Sequence, residues 1–356
     1  MNKQNLLSLN QNALNDFFVD LGEKPYRTKQ IMQWVYKTHE FYFDKMLNFS
    51  KPLREKLSRV ACIEFPKVVK QNFALDGVIK WVLALGEDNH IEMVYIPEKD
   101  RGTLCISSQV GCVLACTFCS TGMQGFNKNL TTAEIIAQVL IANQYLNPKA
   151  KRISNVVFMG MGEPLLNEHA VYNACDLLLD DLAFGLSRRK VTISTSGVVP
   201  AMLRMSERTP VSLAVSLHAP DDHLRDELVP INQKYSIEEL LKACKVYLHA
   251  GTQERHILFE YVMLKGVNDS IEHANKLAKL LKGISAKINL IPFNPFEKTQ
   301  YQTSSAQTIE KFQNILYQQG IRTMTRRTRG EDIDGACGQL AGKVLDKTKR
   351  AHARRH

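Results

Sequence analysis

CISSQVGCVLACTFCSTG, residues 105–122, holds four of the chain's eight cysteines. Cys112, Cys116 and Cys119 have the spacing C-x3-C-x2-C, and Cys105 lies seven positions upstream of the first of them. A tetrahedral zinc site or a ferredoxin-type cluster takes four ligands, whereas three ligands on one loop leave one metal position open for catalysis. The spacing therefore favours a metal site over core cysteines. Zinc completed by a distant histidine remains an alternative at this point.

The composition is typical of a globular protein. The chain has 356 residues, of which 44% are hydrophobic and 23% charged, so it is long enough for a large core. No charge-free apolar run is long enough to cross a bilayer, and the N-terminus has no signal-peptide core. We therefore expect a cytoplasmic protein without a membrane association. Clustered cysteines in that compartment indicate metal binding or catalysis rather than disulfides.

The positive charge is concentrated near the C-terminus. The whole chain has a net charge of +10, and residues 321–356 contain ten Lys or Arg against four acids, a net of +6. Such a patch favours a polyanion, and nucleic acid is the commonest polyanion in the cytosol. A solvated basic tail is the alternative on charge alone.

The order of predicted elements indicates two parts. Residues 1–95 combine helical periodicity with a β-hairpin centred on Asp76-Gly77, which suggests an accessory domain. From about residue 100, short apolar strands alternate with helices, which predicts a parallel sheet that is open or curled toward a barrel. The six predicted strands are 103–107, 153–160, 190–196, 211–217, 256–264 and 286–293.

Polar residues follow several of these strands at the end where parallel sheets hold their chemistry. Gly160-Met161-Gly162-Glu163-Pro164 follows the second strand, Ser194 ends the third, and Ser216 with His218 ends the fourth. Asn294 follows the sixth. Singly these are ordinary loop residues. Together, around one opening, they suit a ribose, a carboxylate and an adenine edge.

The cysteine motif, with Phe118 just before the third cysteine, resembles the signature of the radical S-adenosylmethionine (SAM) superfamily. The resemblance implies an α/β fold, a partial (β/α)6 barrel, with a small N-terminal helical domain. It also implies a [4Fe–4S] cluster held by Cys112, Cys116 and Cys119. SAM chelates the open iron of that cluster, and reductive cleavage of SAM yields a 5′-deoxyadenosyl radical.

A second region narrows the resemblance. In TRGEDIDGACGQLAG, residues 328–342, small neighbours leave the sulfur of Cys337 unhindered, although a buried structural cysteine would look the same in isolation. Together with CSTGMQGF, GMGEPLLN, STSGVVP, AVSLHAP and LIPFNPF, this segment resembles the adenine-C2 RNA methyltransferases. The similarity covers roughly residues 90–345.

The resemblance implies a role for each site residue. Cys337 carries the methyl group as S-methylcysteine and then a covalent RNA adduct, Cys105 releases the product by forming a disulfide with Cys337, and Glu92 accepts a proton. Two SAM molecules are used per turnover. The residues implied for SAM binding are Gly162, Glu163, Ser194, Ser216, Leu217, His218 and Asn294.

The resemblance also implies partners and boundaries. The implied substrates are 23S rRNA, free or in assembling subunits, and tRNA at the adenosine beside the anticodon. Flavodoxin or ferredoxin is the implied electron donor, and a monomer is expected. The expected domains are an RNA-binding accessory domain at 1–95, the catalytic barrel at 96–345 and a basic tail at 346–356. Two alternatives stay open: a sibling enzyme that methylates C8, and a non-catalytic metal-containing RNA-binding protein.

Overall fold

The computed structural model describes residues 3–86, 88–149, 151–250, 255–297, 299–344 and 346–347. Of the basic tail predicted at 346–356, residues 348–356 lie outside the described residues. The described helices are α1 (Gln11–Asp20), α2 (Tyr26–Met32), α3 (Lys51–Val60), α4 (Ser120–Met123), α5 (Thr132–Leu146), α6 (Glu168–Leu179), α7 (Val199–Arg208), α8 (Asp222–Leu228), α9 (Ile237–His249), α10 (Ile271–Leu280) and α11 (Ala306–Gln318).

The strands pair into one large sheet and two small ones. They are β1 (Gln4–Asn5), β2 (Ala61–Cys62), β3 (Lys67–Phe73), β4 (Ile79–Ala84), β5 (His90–Pro97), β6 (Gly102–Cys105), β7 (Gln109–Gly111), β8 (Phe126–Asn129), β9 (Asn155–Phe158), β10 (Val191–Thr195), β11 (Ser212–Ser216), β12 (Ile257–Met263), β13 (Ala286–Pro292) and β14 (Arg322–Thr325).

The large sheet is parallel over most of its width. Its order is β14-β13-β12-β11-β10-β9-β6-β5-β4-β3, and the strands from β6 through β14 in this sheet pair in parallel. All six predicted strands form, as β6 and β9–β13. Because their order follows the chain without reversal, right-handed crossovers place the connecting helices on one face, which is the arrangement of a partial barrel.

Two features of this sheet were not predicted. The first is β14, a seventh parallel strand at the edge of the sheet. It has four residues, three of them exposed, so it lacks the apolar pattern that predicts a strand. The second unpredicted feature is β5, at the other side of the sheet. The hairpin around Asp76-Gly77 forms as predicted, with Gly77 at φ +85°. β5 then pairs with both β4 and β6, so it joins this hairpin to the barrel sheet in antiparallel fashion.

α5 joins the N-terminal helices to the barrel. It begins with the predicted capping box, in which Thr131 and Glu134 bond each other's backbone N–H groups. α5 is apolar on nearly all sides, because it packs against α6, against the N-terminal segment around Leu6 and Leu7 and, through Tyr145, against Trp81 of the sheet. Asn10 Nδ2 also donates to Asp176 Oδ2 of α6 at 2.9 Å. The accessory helices are therefore packed on the outer layer of the barrel.

Within the described residues, no helix combines the length and the apolar character that a membrane span needs.

Candidate active site

The cysteine loop lies between β6 and α5, at the carboxyl end of the first parallel strand. The small hairpin of β7 and β8 closes its base, and the Cys112 N–H donates to the Gly125 carbonyl at 2.7 Å. Gly111 has φ +76°, and a Cβ there would collide with the Gly125 carbonyl oxygen, so only glycine fits this closure. The base of the loop is therefore held tightly, with Cys112 at this base and Cys116 and Cys119 further along the loop.

The three thiols of this loop share one environment. None of them is in a disulfide, and all are half-buried. Burial is the main cause that raises the pKa of each thiol, to about 12 for Cys116, and Cys119 raises the pKa of Cys112 and Cys116 further. A bound cation offsets this cost, since metals deprotonate their coordinating thiols.

The donor set fits an iron–sulfur cluster. Among the residues that the structure describes, no group of three His, Cys, Asp or Glu side chains is arranged to hold a single metal ion. In a cluster, by contrast, each cysteine binds a different iron, so the sulfurs need to share one space rather than one point. Cys112, Cys116 and Cys119 are free thiols on one loop, and they are close enough that Cys119 affects the pKa of Cys112 and Cys116, which matches that requirement.

A cavity of about 160 Å³, which we call the smaller cavity, opens beside this loop. Its wall brings together residues from several strand ends that are far apart in the sequence. Of the residues predicted to bind SAM, those on this wall are Gly162, Glu163, Ser194, Ser216, His218 and Asn294, together with Cys119 of the cysteine loop. Leu217 is not on the wall, because its side chain is fully buried.

The turn that carries Glu163 is built for close approach. Gly162 has φ +100°, and a Cβ there would lie 2.5 Å from Cβ of Gln109. The buried Glu163 carboxylate accepts from the N–H of Leu165 at 3.0 Å and of Ser196 at 2.8 Å. Burial nevertheless raises the pKa of Glu163 to about 7. A cationic ligand amino group would favour the ionised carboxylate and form a charge-assisted bond with it.

His218 is held as a neutral ring. Its backbone is left-handed at φ +61°, and its Nδ1 accepts from the Val262 N–H at 3.0 Å. Burial first, and Arg225 second, lower the pKa of His218 to about 3. Because Nδ1 is the acceptor, the neutral tautomer carries its proton on Nε2, which leaves one donor for a ligand.

Arg225 organises these strand ends, and nothing in the sequence signalled it. This fully buried guanidinium donates to the carbonyls of Leu217 at 3.0 Å, Ser196 at 2.7 Å and Ser216 at 3.0 Å. It also donates to Asn232 Oδ1 at 2.8 Å. One side chain thus sets the relative position of the loops after β10 and β11.

A second cavity of about 650 Å³, the larger cavity, adjoins the first. Cys105 and Cys337 both line it, and Cys337 also lines the smaller cavity. The basic residues on its wall are Lys99, Arg101, Arg326, Arg327 and Arg329. Burial and then the nearby Cys337 raise the pKa of Cys105 to about 12, while Arg326 acts to lower it. Both thiols are free, so the two predicted reactive cysteines face one basic chamber.

Residues 328–342, which we call the Cys337 segment, are held by hydrogen bonds from two other parts of the site. Ser120 of the cysteine loop donates its N–H to the Gly338 carbonyl at 2.8 Å, and Asn294 Nδ2 donates to the Cys337 carbonyl at 3.2 Å. Gly338 has φ +84°, which explains glycine at that position. Cys337 is thereby held next to the cysteine loop although 218 residues separate it from Cys119.

Glu92 lies apart from the cavity walls, behind the Cys337 segment. It is buried on β5, with Oε1 3.6 Å from Lys80 Nζ and Oε2 accepting from the Ala341 N–H at 3.2 Å. Lys80 Nζ also donates to the Asp334 carbonyl at 3.1 Å. Burial raises the pKa of Glu92, and Lys80 opposes that shift. The structure therefore places Glu92 among the residues that hold the Cys337 segment.

Comparison with known proteins agrees with this geometry. A family model described as the ribosomal RNA large subunit methyltransferase N-terminal domain matches residues 4–63, and the radical SAM superfamily model matches residues 106–278. The chain is 89% identical to the dual-specificity RNA methyltransferase RlmN of Ruthia magnifica subsp. Calyptogena magnifica, and 86% identical to that of Vesicomyosocius okutanii subsp. Calyptogena okutanii (strain HA). Both alignments cover 100% of each chain.

A solved structure matches as well. The crystal structure of a radical SAM methyltransferase from Sphaerobacter thermophilus superposes with a TM-score of 0.89 at 39% identity, covering 95% of this chain and 99% of that one. These matches confirm the predicted partial-barrel fold and the predicted family, and the superfamily implies a [4Fe–4S] cluster and SAM. The chain belongs to the RlmN family of radical SAM RNA methyltransferases and is an enzyme that acts on RNA.

Proposed function

We propose that this enzyme methylates C2 of one adenosine in 23S rRNA and of the adenosine beside the anticodon in tRNAs. The observation that carries the proposal is the position of Cys337, which lies on the wall of both the smaller and the larger cavity. A thiol between a methyl donor and a basic chamber can receive a methyl group on one side and deliver it on the other. The names of the RlmN relatives, which state dual specificity, support two kinds of RNA substrate.

Two sets of residues hold the cofactors in this proposal. Cys112, Cys116 and Cys119 hold the [4Fe–4S] cluster, and the residues of the smaller cavity hold SAM, with Leu217 taking part through its backbone. When bound, this pair supplies a carbon-centred radical that removes a hydrogen atom. Glu163 accepts from the SAM ammonium group, and the Nε2–H of neutral His218 donates to SAM.

The chemistry of adenine explains why two further thiols are required. C2 is electron-poor and has no lone pair, so it does not attack the electrophilic methyl group of SAM. The Cys337 thiolate does so instead: its sulfur forms a bond to the methyl carbon, and S-adenosylhomocysteine leaves. Loss of a hydrogen atom from this methyl group leaves a carbon radical that adds to C2, which joins the RNA covalently to Cys337. A second SAM is used for that step.

Product release uses Cys105. The adduct first loses the C2 proton, for which Glu92 is the proposed acceptor, and one electron, which would return to the cluster held by Cys112, Cys116 and Cys119 after its use in cleaving SAM. Cys105 then attacks the Cys337 sulfur, so an S–S bond forms, the C–S bond breaks and the released carbon takes a proton to become the methyl group. The position of both thiols on the wall of the larger cavity supports this exchange.

Glu92 is the proposed proton acceptor. Burial raises its pKa, which makes its carboxylate a stronger base than an exposed one. In this structure its Oε2 holds the Ala341 N–H, so its access to the larger cavity depends on the Cys337 segment. A Glu92→Gln variant separates the two roles. If Glu92 accepts the proton, the covalent RNA adduct should accumulate in this variant. If Glu92 only positions the Cys337 segment, methylation of Cys337 should become slower instead.

The remaining proposals concern domains and partners. We propose a cytoplasmic monomer that takes electrons from flavodoxin or ferredoxin and acts on 23S rRNA free or in assembling subunits. The accessory domain, residues 1–95, contributes to RNA binding and also supplies Glu92 from β5. Residues 96–345 form the rest of the catalytic part, and the basic tail at 346–356 adds positive charge. Five basic side chains on the wall of the larger cavity support a polyanionic substrate.

Mass spectrometry of nucleosides tests the proposal. Anaerobically reconstituted enzyme is incubated with SAM, a reductant and either 23S rRNA or tRNA, and the RNA is digested. The expected product is 2-methyladenosine from both RNAs, with 5′-deoxyadenosine and S-adenosylhomocysteine. 8-Methyladenosine would identify the sibling reaction instead, and absence of 5′-deoxyadenosine would refute the proposed chemistry.

A further inference from the structure

A buried carboxylate at the junction of the two cavities has no assigned role. Glu260 lies in the middle of β12 with 4% of its surface exposed. Its Oε1 accepts from Asn289 Nδ2 at 3.1 Å, and its Oε2 has no hydrogen-bond partner among the described residues. An unsatisfied buried carboxylate oxygen is costly for a folded protein, so its retention points to a ligand.

The location of Glu260 connects it with both proposed ligands. It lines the smaller and the larger cavity, as do Arg326, Asn294 and Cys337. In the sheet it pairs with Ser216, a proposed SAM contact, on the neighbouring strand β11. Glu260 is therefore on the same wall as the thiol that carries the methyl group.

Arg326 supplies the charge that balances Glu260. This arginine lies close enough for its positive charge to lower the pKa of Glu260, against burial, which raises it. Cys337 is the main cause that raises the pKa of Arg326, and Glu260 contributes in the same direction. The nearby guanidinium thus offsets part of the cost of burying the Glu260 charge, and it does so without a hydrogen bond to Oε2.

The chemistry of the proposed reaction identifies the donor. In adenine, N1 is bonded to C2 and to C6, and C6 carries the exocyclic amine, so a base that presents C2 to Cys337 presents its amine nearby. A carboxylate accepts from such an amine, and pockets for flipped-out bases read the base through this edge. Guanine carries a carbonyl oxygen at that position, which a carboxylate would repel.

We propose that Glu260 Oε2 accepts a hydrogen bond from the exocyclic amine of an adenine bound at the junction of the two cavities, and so selects adenine. The inference rests on the proposed function. The target adenine in RNA is the favoured source, because the larger cavity contains both reactive thiols; the adenine of SAM has the same amine and is the other source.

The test compares two RNAs and three variants of the reconstituted full-length enzyme. A tRNA anticodon stem-loop carries either adenine or unsubstituted purine, which lacks the amine but keeps C2–H, at the target position. Binding of each RNA is measured by fluorescence anisotropy and binding of SAM by equilibrium dialysis, beside kcat and KM for C2 methylation. The variants are Glu260→Ala, the isosteric Glu260→Gln and, as a control, Glu98→Gln, which removes a carboxylate from the rim of the same cavity.

The expected results compare the loss of the amine from the RNA with the loss of the carboxylate from the protein. Wild type should bind the purine RNA about 10- to 100-fold more weakly than the adenine RNA, the usual effect of losing a hydrogen bond to a charged group. Glu260→Ala should bind both RNAs equally weakly, Glu260→Gln should lie between, and Glu98→Gln should keep the wild-type ratio. If SAM is the source, SAM affinity falls by a similar factor while the RNA ratio persists, which supports the same hydrogen bond with the other adenine.

Two results would overturn the inference. Glu260 variants that keep the wild-type RNA ratio and the wild-type SAM affinity, and change only thermal stability, would show that Glu260 merely balances Arg326. This outcome leaves the proposed function intact if wild type still produces 2-methyladenosine. If wild type produces none from the adenine RNA, the proposed function fails and the inference fails with it.

Discussion

Arg225→Met should destabilise the protein and weaken SAM binding together. The arginine is fully buried and donates to three backbone carbonyls, those of Ser196, Ser216 and Leu217, and to Asn232 Oδ1. Methionine fills a similar volume but offers no donor. The substitution therefore removes a donor from each of these acceptors in a buried site, and of the three carbonyls that of Leu217 keeps the Ala219 N–H at 2.8 Å.

The expected magnitude follows from these bonds. Each buried acceptor that loses its partner costs about 1–3 kcal/mol, and neighbouring losses do not add fully. Burial also lowers the pKa of Arg225 to about 10, so burying this charge destabilises the wild-type fold and offsets part of what its hydrogen bonds contribute. We expect a loss of about 3–5 kcal/mol in the free energy of unfolding, similar to the breaking of other buried charged networks. Affinity for SAM should fall because the Ser216–His218 turn loses its anchor.

Urea unfolding followed by circular dichroism and dialysis with SAM measure the two effects under anaerobic conditions. Arg204→Met is a matched control: Arg204 forms a surface ion pair with Glu168, and its loss should change neither quantity measurably. Wild-type stability and wild-type SAM affinity in Arg225→Met would refute the reasoning. Loss of stability with unchanged SAM affinity would refute the link between the arginine and the cofactor site.

Further predictions concern the thiols, the Glu163 carboxylate and the Cys337 segment. Cys337→Ala should keep its iron and sulfide content and abolish methyl transfer, whereas Cys105→Ala should accumulate a protein–RNA adduct visible on a denaturing gel; loss of iron from Cys105→Ala would show that it is a ligand. Because burial raises the pKa of Glu163 to about 7, SAM affinity should rise between about pH 6 and pH 8 as the carboxylate ionises, and stay flat in Glu163→Gln. In the SAM-free protein, the raised pKa means that protonated Glu163 stabilises the fold at low pH. This contribution should be lost as pH rises from the ordinary glutamate pKa of 4.5 toward 7, which urea unfolding across that range would show. SAM affinity and stability that do not change with pH would contradict both expectations. Asp76→Asn should weaken the Arg329 bond, now 2.6 Å from Nε to Oδ2, at a cost of about 1 kcal/mol or less because the pair is partly exposed; faster hydrogen exchange in residues 329–341 is the expected signature, and unchanged exchange would contradict it.

Local pattern was sufficient for most of the barrel. β6 and β9–β13 are short segments rich in apolar and β-branched residues and are separated by helical segments, which is a local signal for strands of a parallel sheet. The capping box at Thr131 likewise depends only on neighbouring residues. β14 was missed because an edge strand with three exposed residues has no such run. The continuation of the sheet through β5 was missed because strand pairing between distant segments leaves no local signal.

The site shows the same division. The cysteine motif and the polar strand ends were visible because they combine unusual residue types with short spacing. Arg225 and Glu260 were not visible, since a charged residue within an ordinary helix or strand is expected at the surface. Leu217 was assigned to SAM by resemblance, and its buried side chain leaves only its backbone for that role.

By itself, the sequence determined the family and the fold class and indicated the candidate reactive groups, because these depend on residue types and on spacings of a few positions. Only the tertiary structure decided which groups face each other. It placed Cys337 between two cavities, set Glu92 behind the Cys337 segment and left Glu260 Oε2 unpartnered at the junction. Burial and long-range contacts create these relations, and they arise when strands far apart in the chain bring their ends to one edge of the sheet.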